Sequence, residues 1–235
     1  VAIVGVGVDP ELPAVAARAL RGLLPRARFV GVRDEASARV LRALGGRPAV
    51  EPDLATRLRP AAPEAGAAVL ARAGLEPGRP IVGLALTALH AEAAGGPDRL
   101  VGAVAGAIDR LPDVQFAAFP MSRHPFRPEH DDLWMARRLQ VARPRVAIVE
   151  ALDDPRLALA AFGQLDAAVA MRYHSLVFAG LQGVPIVAFP YAPKCRTWLN
   201  DHGLAATLAV PDALAAALHL ALDSRAGRRR TETAA

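Results

Sequence analysis

Short apolar runs alternate along the chain with longer segments in which apolar positions recur at helical spacing. That rhythm is the mark of buried parallel strands joined by amphipathic helices. The opening VAIVGVG reads as a strand and PELPAVAARALRGLL as a helix, followed by the strand RFVGV. DEASARVLRALGG is a helix with Asp34 at its cap and glycines at its end, the residue types that favour those two positions. A short strand and a Pro-rich stretch fill 47–63, a further helix follows, and EPGRP at 76–80 punctuates the chain. From there PIVGLAL, VQFAAFP, RVAIVE, AAVAM and PIVAFP are strands. Between them lie the helices DRLVGAVAGAIDRLP, DDLWMARRLQ, DPRLALAAFGQL and HSLVFAGLQG, and PKCRTWLNDHG and PDALAAALHLALDSRAG close the series.

Strict alternation of strand and helix predicts an α/β protein with parallel sheets covered on both faces. The expected division is a partial amino-terminal Rossmann-like domain over 1–63, a linker region over 64–79, a complete doubly wound domain over 80–225 and a disordered tail over 226–235. The first segment holds too few strand–helix units for a whole domain of this type.

Composition changes this picture little. The chain is 53% apolar, but no run approaches the ~20 residues that span a bilayer. No basic segment precedes the opening strand, so no signal peptide is expected. The single cysteine, Cys195, cannot form an internal disulfide, which fits a reducing, cytoplasmic setting. The net charge of +5 is spread over helix faces with no basic stripe and interleaved aromatics, which excludes nucleic acid as a partner. Charge identity is more telling: Lys194 is the only lysine among 28 Lys and Arg residues. A compact ammonium and a planar guanidinium differ in geometry and pKa, so the one position that keeps lysine is a candidate for chemistry.

Ligands of open α/β sheets bind beyond the carboxyl ends of the strands, where helix amino termini present unpaired N–H groups. Directly after the predicted strands stand Thr87 and His90; Ser122, Arg123 and His124; Arg172, Tyr173, His174 and Ser175; and Tyr191 and Lys194. In the first segment Arg33, Asp34 and Glu35 follow RFVGV. Arginine forks, a lysine point charge and helix termini together suit a small, multiply negative substrate. No metal constellation is evident, since His124 and His130 share no helix face with a carboxylate at ligand spacing. Neither a P-loop nor G-x-S-x-G occurs, and the GVG at 5–7 is a fragment of a dinucleotide fingerprint at best.

The run MRYHSLVFAGLQGVPIVAFPYAPKCRTWLNDHGL, with its R-x-H, G-V-P and Y-x-P-K elements, resembles the signature of the polysaccharide pyruvyl transferase family. FVGVRDEASARVLRALGG resembles that family's S-V-R-D-x-x-S segment, and VAIVGVGVDP its glycine-rich turn. The resemblance implies a glycosyltransferase-B-like pair of Rossmann-like domains. It further implies transfer of the pyruvyl unit of phosphoenolpyruvate, as a ketal, to a sugar of a cell-surface polysaccharide or its lipid-linked precursor. Phosphoenolpyruvate is then the donor substrate, no cofactor is needed, and the acceptor places the protein in the cytoplasm or at the inner face of the membrane. By the same resemblance Arg172 and His174 are catalytic, Arg172 on donor carboxylate or phosphate and His174 as general acid/base. Lys194 is a phosphate contact, Arg33 contributes from the other domain across the cleft, and Tyr191, Ser175, Arg123 and His124 complete the substrate-binding set.

Two departures belong with the resemblance. The family's opening strand and G-x-x-N-x-G-D loop have no counterpart, which implies that the chain begins partway through the amino-terminal domain. Leu86 or Thr87 stands where the family has an arginine at the end of a strand, implying one anion contact fewer. Two other functions remain compatible with the sequence. One is a nucleotide-sugar glycosyltransferase of the same fold, for which Glu150 and Asp201 offer a ribose-binding carboxylate. The other is a non-catalytic paralogue that binds a glycan or a partner protein.

Overall fold

The structure, a computed structural model, describes residues 1–89, 91–150, 152–189, 192–204 and 210–233, without the side chains of 93, 94, 211 and 227–233. The chain forms two compact units, Val1–Leu58 and Arg59–Ala235.

The first unit contains β1 (Ala2–Val6), α1 (Ala14–Leu23), β2 (Phe29–Val32), α2 (Glu35–Ala43) and β3 (Ala49–Val50). Its strands form a parallel sheet in the order β1-β2-β3. Val30, Val32, Ala38, Leu41 and Leu24 make a small core, joined by Ile3, Val6, Val8 and Leu20. Asp34 caps α2 by accepting a hydrogen bond from the Ser37 backbone N–H at 2.7 Å, a device worth about 1 kcal/mol. Ser37 is itself buried and ties the turn after β1 to α2: the Val8 N–H donates to its hydroxyl at 2.8 Å. The S/T-type residue three beyond the aspartate therefore has a fold-building reason to be there.

The second unit begins with α3 (Pro63–Arg72) and then alternates β4 (Ile81–Ala85), α4 (Pro97–Asp109), β5 (Gln115–Ala118), α5 (Asp132–Ala142), β6 (Val146–Ile148), α6 (Pro155–Gly163), β7 (Ala167–Ala170), α7 (Tyr173–Leu181), β8 (Ile186–Ala188), α8 (Pro193–Asp201) and α9 (Leu214–Thr233). All five strands are parallel, in the order β6-β5-β4-β7-β8. The chain moves outward from β4 through β5 to β6, then crosses to β7 and moves outward the other way. Right-handed crossovers consequently put α4 and α5 on one face, with α6 and α7 on the other. Residues of α4, α5 and α9 share one core with the sheet, centred on Leu100, Ile108, Met135, Leu139, Phe116, Val169 and Leu218. Every residue of β4 and β7 is buried, as central strands of a doubly wound sheet require.

Two segments differ from the sequence expectation. The stretch 64–79 holds most of α3, which packs on α6 rather than linking domains. The approach is close because Gly66 lacks a side chain: a Cβ there would lie 2.5 Å from the Ala160 carbonyl carbon. The stretch from 226, expected as a disordered tail, continues α9 as backbone helix to Thr233. Its amino-terminal half is held by Leu214 and Leu218 in the core, which nucleates a helix that then propagates cheaply. Among the described residues no helix is long and apolar enough to cross a membrane.

Candidate functional site

Between β4 and β7 the chain's direction of winding reverses, and a crevice opens at the carboxyl ends of strands at such a switch point. Thr87 emerges from β4 there and Arg172 from β7, with the two strands in register through Leu84–Val169 and Ala85–Ala170. Neither is idle. Arg172 forms a bidentate ion pair with Asp132, the first residue of α5: Nη2 donates to Oδ1 at 2.6 Å and Nε to Oδ2 at 3.0 Å. Nη2 also reaches the His130 carbonyl at 3.4 Å. The Asp132 side chain is wholly buried and that of Arg172 is 14% exposed. Asp132 further accepts a hydrogen bond from the Met121 N–H at 3.2 Å and interacts with the Thr87 hydroxyl. Burial pushes the Asp132 carboxyl above the ordinary aspartate range, against the opposing pull of Arg172, Thr87 and the Ser122 backbone.

Arg172 is also the residue that introduces α7, in extended conformation just before the first helical turn. Ser175 is fully buried, and its hydroxyl donates to the Arg172 carbonyl at 2.6 Å. That bond fixes the backbone from which the arginine projects, so the position expected to bind substrate serves the turn. His174, in the first turn of α7, is exposed, with its ring 5.3 Å from that of Tyr173 and 6.3 Å from that of Phe178. β8 lies beside β7 and parallel to it, so the start of α8 opens on the same sheet edge. Lys194 is half-buried at the second position of that helix. Its neighbour Cys195 is buried, with Sγ 3.7 Å from the carbonyl oxygen of Met171, the residue before Arg172. Tyr191 and His90 lie outside the described residues.

The loop after β5 is organised by its own side chains. Arg123 donates to Asp131 at 3.0 Å, and Asp131 also caps α5 through the Leu133 N–H. His124 Nδ1 accepts from the backbone N–H groups of Phe126 and Arg127 at 3.2 and 2.9 Å. Both residues expected to contact substrate therefore have structural partners within the loop. In the first unit Arg33 is 14% exposed and sits 3.6 Å from both Asp34 and Asp53. Its guanidinium covers Gly7, where a Cβ would come within 2.6 Å of Cζ and Nε. The glycine-rich turn admits the arginine, and the arginine is held within its own unit.

The sheet topology thus brings Arg172, His174, Ser175 and Lys194 to one edge, at adjacent helix amino termini that favour negative charge. Asp132 was missed from sequence. Its signal was the doublet Asp131–Asp132 before a helix: one carboxylate suffices as a cap, and the second needed another partner. Leu86, at the place of the family's strand-end arginine, is 5% exposed and belongs to the core, whereas Thr87 beside it meets Asp132.

No curated protein matches the sequence. Among solved structures, HepE of Anabaena in complex with UDP and glucose superposes with a TM-score of 0.52 at 18% identity, covering 97% of this chain and 71% of that one. A trehalose-6-phosphate structure from E. coli bound with UDP-2-fluoro glucose gives 0.53 at 15% identity, covering 90% of this chain but 56% of the other. At such identities the likeness speaks for the fold, a Rossmann-like α/β architecture of the glycosyltransferase-B kind. The sequence itself matches the family described as polysaccharide pyruvyl transferase over residues 1–193. With that span including both glycine-rich turn and R-x-H segment, the chain belongs to the polysaccharide pyruvyl transferase family.

Proposed function

We propose that this chain transfers the pyruvyl group of phosphoenolpyruvate to two hydroxyls of a sugar in a cell-surface polysaccharide or its lipid-linked precursor, forming a ketal. The observation that carries the reading is the meeting of Arg172 and His174 at the start of α7 with Lys194 at the start of α8, on one edge of the second sheet. Phosphoenolpyruvate carries a carboxylate and a phosphate, and an arginine fork, an ammonium and two helix amino termini match that charge. His174 donates a proton to the donor methylene, which leaves an oxocarbenium-like carbon for the first sugar hydroxyl to attack. The second hydroxyl then displaces inorganic phosphate and closes the ketal; the two hydroxyl protons balance the proton gained by the methyl group and the proton left with phosphate. Arg172 and Lys194 stabilise the anionic groups throughout, and an exposed histidine exchanges its proton readily with solvent. An acceptor built on a lipid carrier would bring the protein to the inner face of the membrane.

Two solved structures similar to this fold are complexes with UDP and glucose and with UDP-2-fluoro glucose, which makes a nucleotide-sugar glycosyltransferase the second reading. Ligand-induced thermal stabilisation separates the two, because a ligand present at 100 times its Kd adds about 2.7 kcal/mol to the folded state. Phosphoenolpyruvate should raise the Tm and UDP-glucose should leave it unchanged. A shift with UDP-glucose alone transfers the assignment to glycosyl transfer.

A further inference from the structure

We propose that Asp132 is a positioning residue of the transfer site: its buried carboxylate holds the guanidinium of Arg172 in one orientation at the switch point between β4 and β7, so that anion binding by Arg172 depends on a residue that does not touch the ligand. The inference rests on the pyruvyl-transfer reading for the identity of the anion, and on geometry for the rest.

An arginine side chain has about four rotatable bonds, and ordering it on ligand binding costs rotamer entropy that weakens affinity. Two contacts remove most of that freedom here. Asp132 engages Nε and Nη2 together, at 2.6–3.1 Å, and a planar guanidinium with two nitrogens fixed has its third direction fixed as well. The carboxylate is in turn immobile. Its own backbone N–H donates to the Ser122 carbonyl at 2.9 Å, and its Oδ2 receives the Met121 N–H. Thr87, fully buried in the loop just after β4, adds its hydroxyl. The arrangement joins three loops, after β4, β5 and β7, on one arginine. The Arg172–Asp132 pair is separated by 40 residues in sequence, so no local turn chemistry requires it.

A merely structural ion pair would stabilise the fold and leave ligand affinity alone. A positioning pair predicts a split between KM and kcat, since Arg172 binds the donor while His174 moves the proton. In Asp132→Asn, KM for phosphoenolpyruvate should rise roughly 10–100-fold, the scale on which partners of ligating groups act, with kcat within about threefold of the unaltered chain. The Arg172 Nε–H resonance supplies a ligand-free readout: it should be sharp and slow to exchange in the unaltered chain and should broaden or vanish in Asp132→Asn. Where Asp132→Asn does not fold, Asp132→Glu keeps the charge, displaces it by one methylene and carries the same two measurements. Unchanged KM in a folded variant overturns the proposal, as does an unchanged Nε–H resonance. If the unaltered chain neither binds nor turns over phosphoenolpyruvate, the donor reading fails by itself, and the Kd for inorganic phosphate then decides the positioning role: a roughly 10–100-fold weakening in folded Asp132→Asn supports it and an unchanged Kd refutes it.

Discussion

Replacing Asp132 by alanine tests the energetics of the switch point independently of any substrate. The substitution removes the carboxylate that faces Arg172 Nε and Nη2 at 2.6–3.1 Å and also the acceptor of the Met121 N–H at 3.2 Å. Arg172 keeps its charge in a position only 14% exposed, and an uncompensated buried charge costs about 3–5 kcal/mol. Against a domain stability of about 5–15 kcal/mol, the loss is large enough to read from urea unfolding at neutral pH. Removing Arg172 alone should cost less, since Asp132 can then bind a proton and shed its charge. The double variant Asp132→Ala/Arg172→Met leaves neither charge stranded, so it should be more stable than the sum of the single losses by about 2–3 kcal/mol, in the range for residues in direct contact. Additivity within about 0.5 kcal/mol, or a cost below about 1 kcal/mol for Asp132→Ala, refutes the buried-pair account.

The other predictions concern packing, charge and pH. Gly66→Ala should destabilise the protein by about 1–3 kcal/mol, because the new methyl meets backbone of Ala160 and Ala161 and α3 must move off α6. Gly102→Ala in α4 meets nothing within 4 Å and should stabilise by up to ~1 kcal/mol through helix propensity; thermal melts of both variants should show opposite signs. Lys194→Ala should weaken phosphoenolpyruvate binding and Lys194→Arg should not restore it; full activity in Lys194→Arg would remove the lysine from the site. Since the Asp132 carboxyl is raised in the folded state, its stabilising contribution is complete below the unfolded aspartate value of about 3.9 and declines as pH rises through the folded value. The stability difference between the unaltered chain and Asp132→Asn should therefore shrink from about pH 4 upward and then level off, as measured by urea unfolding at stepped pH.

Sequence by itself determined the element types ahead of the stretch from 226, because buried strands and amphipathic helices have different periods and the chain keeps them apart. It also determined the cap of α2 at Asp34 and the arrival of Arg172, His174 and Lys194 after strands, since both follow from short-range spacing. Parallel strands joined by helices place all such post-strand residues on one edge, so the location of the candidate site was legible before any fold was known. Tertiary structure decided what periodicity does not encode. The order β6-β5-β4-β7-β8 selects β4 and β7 as the neighbours at the switch point. Close approach of α3 to α6 at Gly66 drew 64–79 into the second unit. The sharpest case is Asp132, which in sequence is the second of two acidic residues at a helix start and in the fold is the buried partner of an arginine 40 residues away. Desolvation makes that partnership obligatory, and desolvation is a property of the assembled core rather than of any local segment.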